Sequence, residues 1–281
     1  MSGIGPGKHG RGREHGRRAA TTTARRRPSE FAGIATICEV RSVARTTFHA
    51  PNLTDGGVAP CAVSVDGGEG LPAAEEAVLN ALTSKVRMLS QAQVARGFYA
   101  QSEDPQRAAG LALGRLERAG LVERREILAG PELALAAPLW TWRPGDAPPP
   151  HREISRLARG RWTHTPRLER VVIATAKGRR LLGANIRKAG LVKPLQARHD
   201  LNLAGVFTVY RSSNLELANH WVGEDSFEPG LVPAGHVPDA VLLSPQGGVE
   251  RAVEFVGAYP PSRVSAFCTF AMRARLPFEL W

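Results

Sequence analysis

The sequence predicts an α+β protein, and three observations carry that prediction. Between residues 74 and 119, apolar residues recur at helical spacing in three short blocks, each with its own start or stop signal. Strand-like runs follow directly at 121–127 and 138–142. Over 195–281 helical and strand patterns alternate again, as in a mixed sheet crossed by a helix.

The first helix is written by Ala74, Ala77, Val78, Ala81 and Leu82, which form one apolar stripe behind Pro72. The second opens at Ser90, where Ser90 and Gln93 make a capping box and Val94, Ala95 and Phe98 face inward. Asp104 and Pro105 start the third, with Ala108, Leu111, Ala112, Leu116 and Ala119 as its buried face and Gly120 as its stop. A hairpin joined through Gly130-Pro131 would then pair 121–127 with 138–142. Three helices, a glycine and a hairpin are the order of a winged helix-turn-helix, expected over 74–143.

In such a domain the third helix enters the major groove. Its outward residues Gln106, Arg107, Arg115 and Arg118 are therefore candidate DNA contacts, with Arg124 and Arg125 near the wing. Arginine suits that place because its planar fork pairs with phosphate or with the acceptors of guanine. The other reading makes them ordinary solvated helix charges. Gly110 and Gly114 sit in the same helix at a cost of about 1 kcal/mol each against alanine. They either permit close approach or weaken the helix.

The net charge of +11 is unevenly placed along the 281 residues. Residues 1–30 carry eight Lys/Arg against two acids, 75–143 nine against eight, 144–199 thirteen against three, and 200–281 five against nine. Residues 1–73 are expected to be a disordered basic arm and a linker, with a short strand at 62–65. Residues 144–194 read as a basic connector opened by Pro148-Pro149-Pro150. Its Arg152, Arg156, Arg159, Arg161, Arg167, Arg170, Lys177, Arg179 and Arg180 would supply nonspecific phosphate affinity, unless they pair with the acidic C-terminal part. No stretch of eighteen apolar residues and no apolar signal segment stands in the sequence, so a cytoplasmic protein without a membrane span is expected. Cys38, Cys61 and Cys268 fit neither a disulfide framework nor a zinc spacing and are expected as reduced thiols.

Residues 195–281 are expected to form an α/β domain. A helix runs from Asp200 towards Tyr210, strands at 240–243 and 249–255 form a hairpin, a helix starts at Pro261, and a final strand lies within 276–281. Asp239 opens the first hairpin strand and Glu254 closes the second. Two carboxylates at one sheet edge suit Mg2+, which can activate water against a phosphodiester. This order of elements and acids resembles the PD-(D/E)xK nuclease fold. The resemblance makes Asp239 and Glu254 the catalytic, metal-holding acids. It also implies a lysine at 256, where this chain has Val256. Asp200 and Glu216 are further candidate ligands, as is His199, which reads first as a capping or core histidine, and Arg263 is a candidate replacement for the lysine. Mg2+ is expected if the site is active, and no cofactor otherwise.

Five short motifs extend the resemblance: LERAGLV at 116–122, RHDL at 198–201, VPDA at 237–240, VEFVG at 253–257 and LPFELW at 276–281. Together they resemble the replication-relaxation family, bacterial proteins associated with plasmid replication and relaxation of plasmid DNA. The resemblance spans residues 75–281. It implies an accessory protein that binds double-stranded DNA, with replication or mobilisation proteins as further partners and a degenerate nuclease-like domain. A metal-dependent endonuclease and a winged-helix transcriptional regulator are the alternatives.

Overall fold

The computed structural model describes residues 70–184 and 196–281. The arm, the linker to residue 69 and the strand expected at 62–65 lie outside the described residues, as do positions 185–194 of the expected connector and residue 195. The fold is mixed helix and sheet, and the described residues belong to one compact unit, Gly57–Trp281.

Local chemistry sets the first helices. Helix α1 (Ala73–Asn80) starts behind Pro72, carries Glu75 and Glu76 in its first turn, where the helix dipole favours acids, and continues as a π-helical turn over Ala81–Lys85. Strand β1 (Leu89–Ser90) leads into α2 (Gln91–Phe98). The Ser90 hydroxyl accepts from Gln93 N at 3.1 Å while Ser90 N donates to Gln93 Oε1 at 2.9 Å, closing the capping box. Asp104 caps α3 (Pro105–Arg118) by accepting from Arg107 N at 3.0 Å, and Gly120 follows it with φ +69°. The buried face of α3 is Ala109, Ala112, Leu113 and Leu116, rotated from the expected one, so Leu111 is 55 % exposed.

The expected hairpin is not formed. Strand β2 (Val122–Ala129) pairs antiparallel along its whole length with β4 (Arg167–Ala174), from Val122 opposite Ala174 to Ala129 opposite Arg167. With β1 on the other edge of β4, the first sheet has the order β1-β4-β2. The segment expected as the second hairpin strand leaves as β3 (Trp140–Trp142) and pairs antiparallel with the C-terminal strand β8 (Phe278–Leu280). Apolar burial explains the choice: Trp142 stacks on Phe278 with centroids 5.4 Å apart, inside a core that a surface wing does not offer.

The stretch expected as a connector is likewise built into the fold. Helix α4 (His151–Gly160) lays Ile154 and Ala158 into a shared core with α8 (Pro261–Arg273), while Leu157, placed inside by its spacing, faces outward. Helix α5 (Ala176–Leu181) follows β4, capped by Thr175.

In the second sheet β5 (Trp221–Gly223), β6 (Ala240–Leu243) and β7 (Val249–Glu254) form an antiparallel meander. Helix α8 then crosses over and β8 returns parallel to β7, giving the order β3-β8-β7-β6-β5. Helix α6 (Ala197–Ser213), followed by α7 (Leu215–His220), is buried on nearly every side because it packs on α2 and β2 and also on the second sheet. One core therefore runs from Leu79 and Leu116 through Phe207 to Trp221, Val253 and Trp281. Among the described residues no helix is long and apolar enough to cross a membrane. Cys268 is free and buried, and burial pushes its thiol up to about 12.

Candidate functional site

The two predicted acids meet where β6 begins and β7 ends. Asp239 precedes β6, and its Oδ2 accepts from Phe255 N at 2.7 Å. His199, on the first turn of α6, places Nε2 3.2 Å from that same oxygen and Nδ1 3.6 Å from Asp200 Oδ1. Burial works against charge on this imidazole, but Asp239 and Asp200 outweigh it and raise its pKa to about 10. His199 is thus brought to the acids as a cation between two carboxylates.

Glu254 is 4 % exposed, and among the described residues its Oε2 has no hydrogen-bond partner. His236 Nε2 lies 3.7 Å from that oxygen, and its ring sits against Phe267 and Phe270. Burial first, and the neighbouring Asp239 second, raise the Glu254 pKa and favour the neutral acid. Glu254 in turn raises the His236 pKa. The lysine position of the nuclease motif holds Val256, 2 % exposed in the core shared by α4 and α8. Arg263 does not swing in: its guanidinium lies over the Tyr259 ring at 3.7 Å. Glu216 stays exposed on α7.

Sequence reasoning missed the centre of the charge cluster. Arg87, between α1 and β1, sends Nε and Nη2 to the two oxygens of Asp225 at 2.7 and 2.9 Å, Nη2 also to Glu224, and Nη1 to Asp200 at 3.2 Å. The hydrogen bond with Asp225 is the largest of the effects that raise its pKa. Arg87, Asp200, Glu224, Asp225, Asp239 and the buried Arg179 line a narrow cavity of about 30 Å³. No spacing in the sequence announces Arg87; the acidic pair at 224–225 was the available signal.

The candidate nucleic-acid contacts fall into three groups. Gln106, Arg107 and Arg118 lie exposed on α3, where Arg107, Leu111, Gly114 and Arg118 follow one another at helical spacing on a single outward stripe. Among the described residues neither Arg107 nor Arg118 has an acidic partner; Arg118 Nε donates to Gly114 O at 3.2 Å. Arg115, Arg124 and Arg125 are engaged within the protein, by the buried Glu75 at 2.6 Å, Glu117 at 3.2 Å and Glu123 at 2.8 Å. From the basic stretch, Arg152, Arg156 and Arg159 are exposed on α4, whereas Arg161 is half-buried with Nη1 unpartnered among the described residues, and burial lowers its pKa. Arg167 and Arg170 pair with Glu169 and Glu126, and Lys177 donates to Ala119 O at the end of α3.

Compared with known proteins, the chain matched no family model, no curated protein and no solved structure.

Proposed function

We propose that the chain binds double-stranded DNA as an accessory protein in replication, relaxation or mobilisation of plasmid-like DNA. In this reading α1–α3 with the β2–β4 ribbon act as a winged helix, and α6, β5–β7, α8 and β8 as a PD-(D/E)xK-like core that no longer cuts. The observation that carries it is the outward stripe of α3. Two arginines that have no acidic partner among the described residues flank an exposed leucine and a glycine beside which a Cβ would meet nothing within 4 Å. That composition suits a helix laid into a groove, with arginine forks for guanine or phosphate and apolar contact for a thymine methyl. The replication setting rests on the resemblance of the five motifs alone.

The test is fluorescence anisotropy with labelled duplex. Replacing Arg107 and Arg118 together by alanine is expected to weaken binding about 10- to 100-fold, the scale of lost bidentate contacts. Arg125→Ala, which removes a side chain already paired with Glu123, is expected to change it little. An unaltered affinity in the double variant would remove α3 from the interface. Active endonuclease is the weaker reading, because Val256 is sealed in the core and Glu254 is held towards its neutral form. Supercoiled plasmid incubated with Mg2+ or Mn2+ should therefore stay unnicked; nicking abolished by Glu254→Ala would put the endonuclease in first place.

A further inference from the structure

The carboxylates around the narrow cavity invite the question of which cation they serve. In metal-dependent nucleases such acids hold Mg2+, which demands near-octahedral oxygen coordination and keeps several waters. The residues present do not fit that ion. Asp239 Oδ2 already accepts from Phe255 N and faces His199 Nε2, while Asp200 Oδ1 faces both Arg87 and His199. Asp225 engages the Arg87 fork with both oxygens, and Glu224 takes the same guanidinium. Every nitrogen of Arg87 thus ends on a carboxylate, an arrangement that suits a planar, permanently charged donor with five N–H groups.

The surroundings of Arg87 are equally fixed. Two residues before it, Lys85 Nζ donates to Asn219 O at 2.8 Å and to Trp221 O at 2.5 Å, and Trp221 Nε1 donates back to Lys85 O at 3.0 Å. Gly223 completes the approach, since a Cβ there would stand 2.4 Å from Lys85 O. The segment between α1 and β1 is therefore held against β5 and the acidic pair that follows it.

We propose that Arg87 is the resident cation of Asp200, Glu224 and Asp225, and that with Asp239 turned to His199 and Phe255 N this acidic cluster needs no divalent ion. The cluster is then a metal-independent clasp between the helical N-terminal part of the unit and the second sheet. The inference rests on the nuclease-like reading of that sheet and not on DNA binding, so its test contains no DNA.

The experiment is thermal unfolding of the full chain in EDTA and in millimolar MnCl2, beside calorimetric titration with Mn2+. The wild type is expected to melt at the same temperature in both and to give no binding heat. Arg87→Met, which keeps an unbranched apolar stem and removes the charged fork, is expected to melt several degrees lower, with Arg87→Lys between the two, because an ammonium cannot present a planar fork. Saturable Mn2+ binding by the wild type, lost in Asp239→Asn, would overturn the proposal, and so would a wild-type melting temperature in Arg87→Met. If Arg87→Met does not fold, the wild-type titration still decides. A metal-binding wild type would leave the α3 interface standing, since that is read with duplex in a separate assay.

Discussion

Glu254 is the residue at which the fold works against ionisation. Its carboxyl is buried, one oxygen has no hydrogen-bond partner among the described residues, and Asp239 adds like charge. A carboxyl whose folded pKa lies above its unfolded value contributes stability that is complete below the unfolded value, near 4.5, and is lost as pH rises through the folded one. His199 has the same sign: the stability from its raised pKa is complete below 6.5 and is lost as pH rises through about 10. Glu254→Gln, which removes the buried charge, should therefore raise the melting temperature at mildly alkaline pH by about 2–4 °C, the size of 1 kcal/mol in a domain of this length. The gap should close as the pH approaches 5. A lower melting temperature at alkaline pH would mean that the ionised carboxylate is stabilised in the fold. The two acids were legible in the sequence because each sits at the end of an apolar strand run. Arg87, Glu224 and Asp225 were not, because their hydrogen bonds join positions 137 and 138 residues apart, which no local period encodes.

At the scale of elements, caps were readable and partners were not. Ser90, Gln93, Asp104 and Gly120 punctuate helices through bonds spanning three residues or through a single φ angle, so the sequence places them directly. The partner of β2 lies beyond residues 130–166, and the nearer strand-like run is drawn into the second sheet by Trp142 and Phe278. The face of α3 was misread by a fraction of a turn because Leu111 counts as apolar wherever it points. Its exposure leaves Gly114 to explain: a glycine in mid-helix costs about 1 kcal/mol against alanine, and here a methyl would meet no neighbour. Gly114→Ala should stabilise the protein by about that amount, a rise of roughly 2–4 °C. If the stripe is pressed against a DNA groove, the same substitution should weaken duplex binding. A more stable variant with undiminished affinity would make Gly114 a plain helix weakness rather than a point of close approach.

Over the whole molecule, the described residues do not divide where composition changes. The proline-rich stretch at 144–150 reads as a boundary, yet the chain on its two sides supplies paired strands to one sheet, β2 before it and β4 after. Helix α6 then inserts between the sheets, and Phe207 joins a core that also holds Leu79, Leu116 and Val172. A fragment covering 70–145 keeps α1 and the two capped helices α2 and α3 but loses the strand that pairs with β2 and the apolar surface of α6. Short helices are marginal in water without tertiary packing, and a lone edge strand has nowhere to place its backbone donors. The fragment is therefore expected to lack a cooperative thermal transition by circular dichroism, whereas 70–281 should melt as a single unit. Cooperative melting of 70–145 with duplex affinity like that of the full chain would show that the N-terminal helices stand alone, and that the continuous core is not what holds α3 in place.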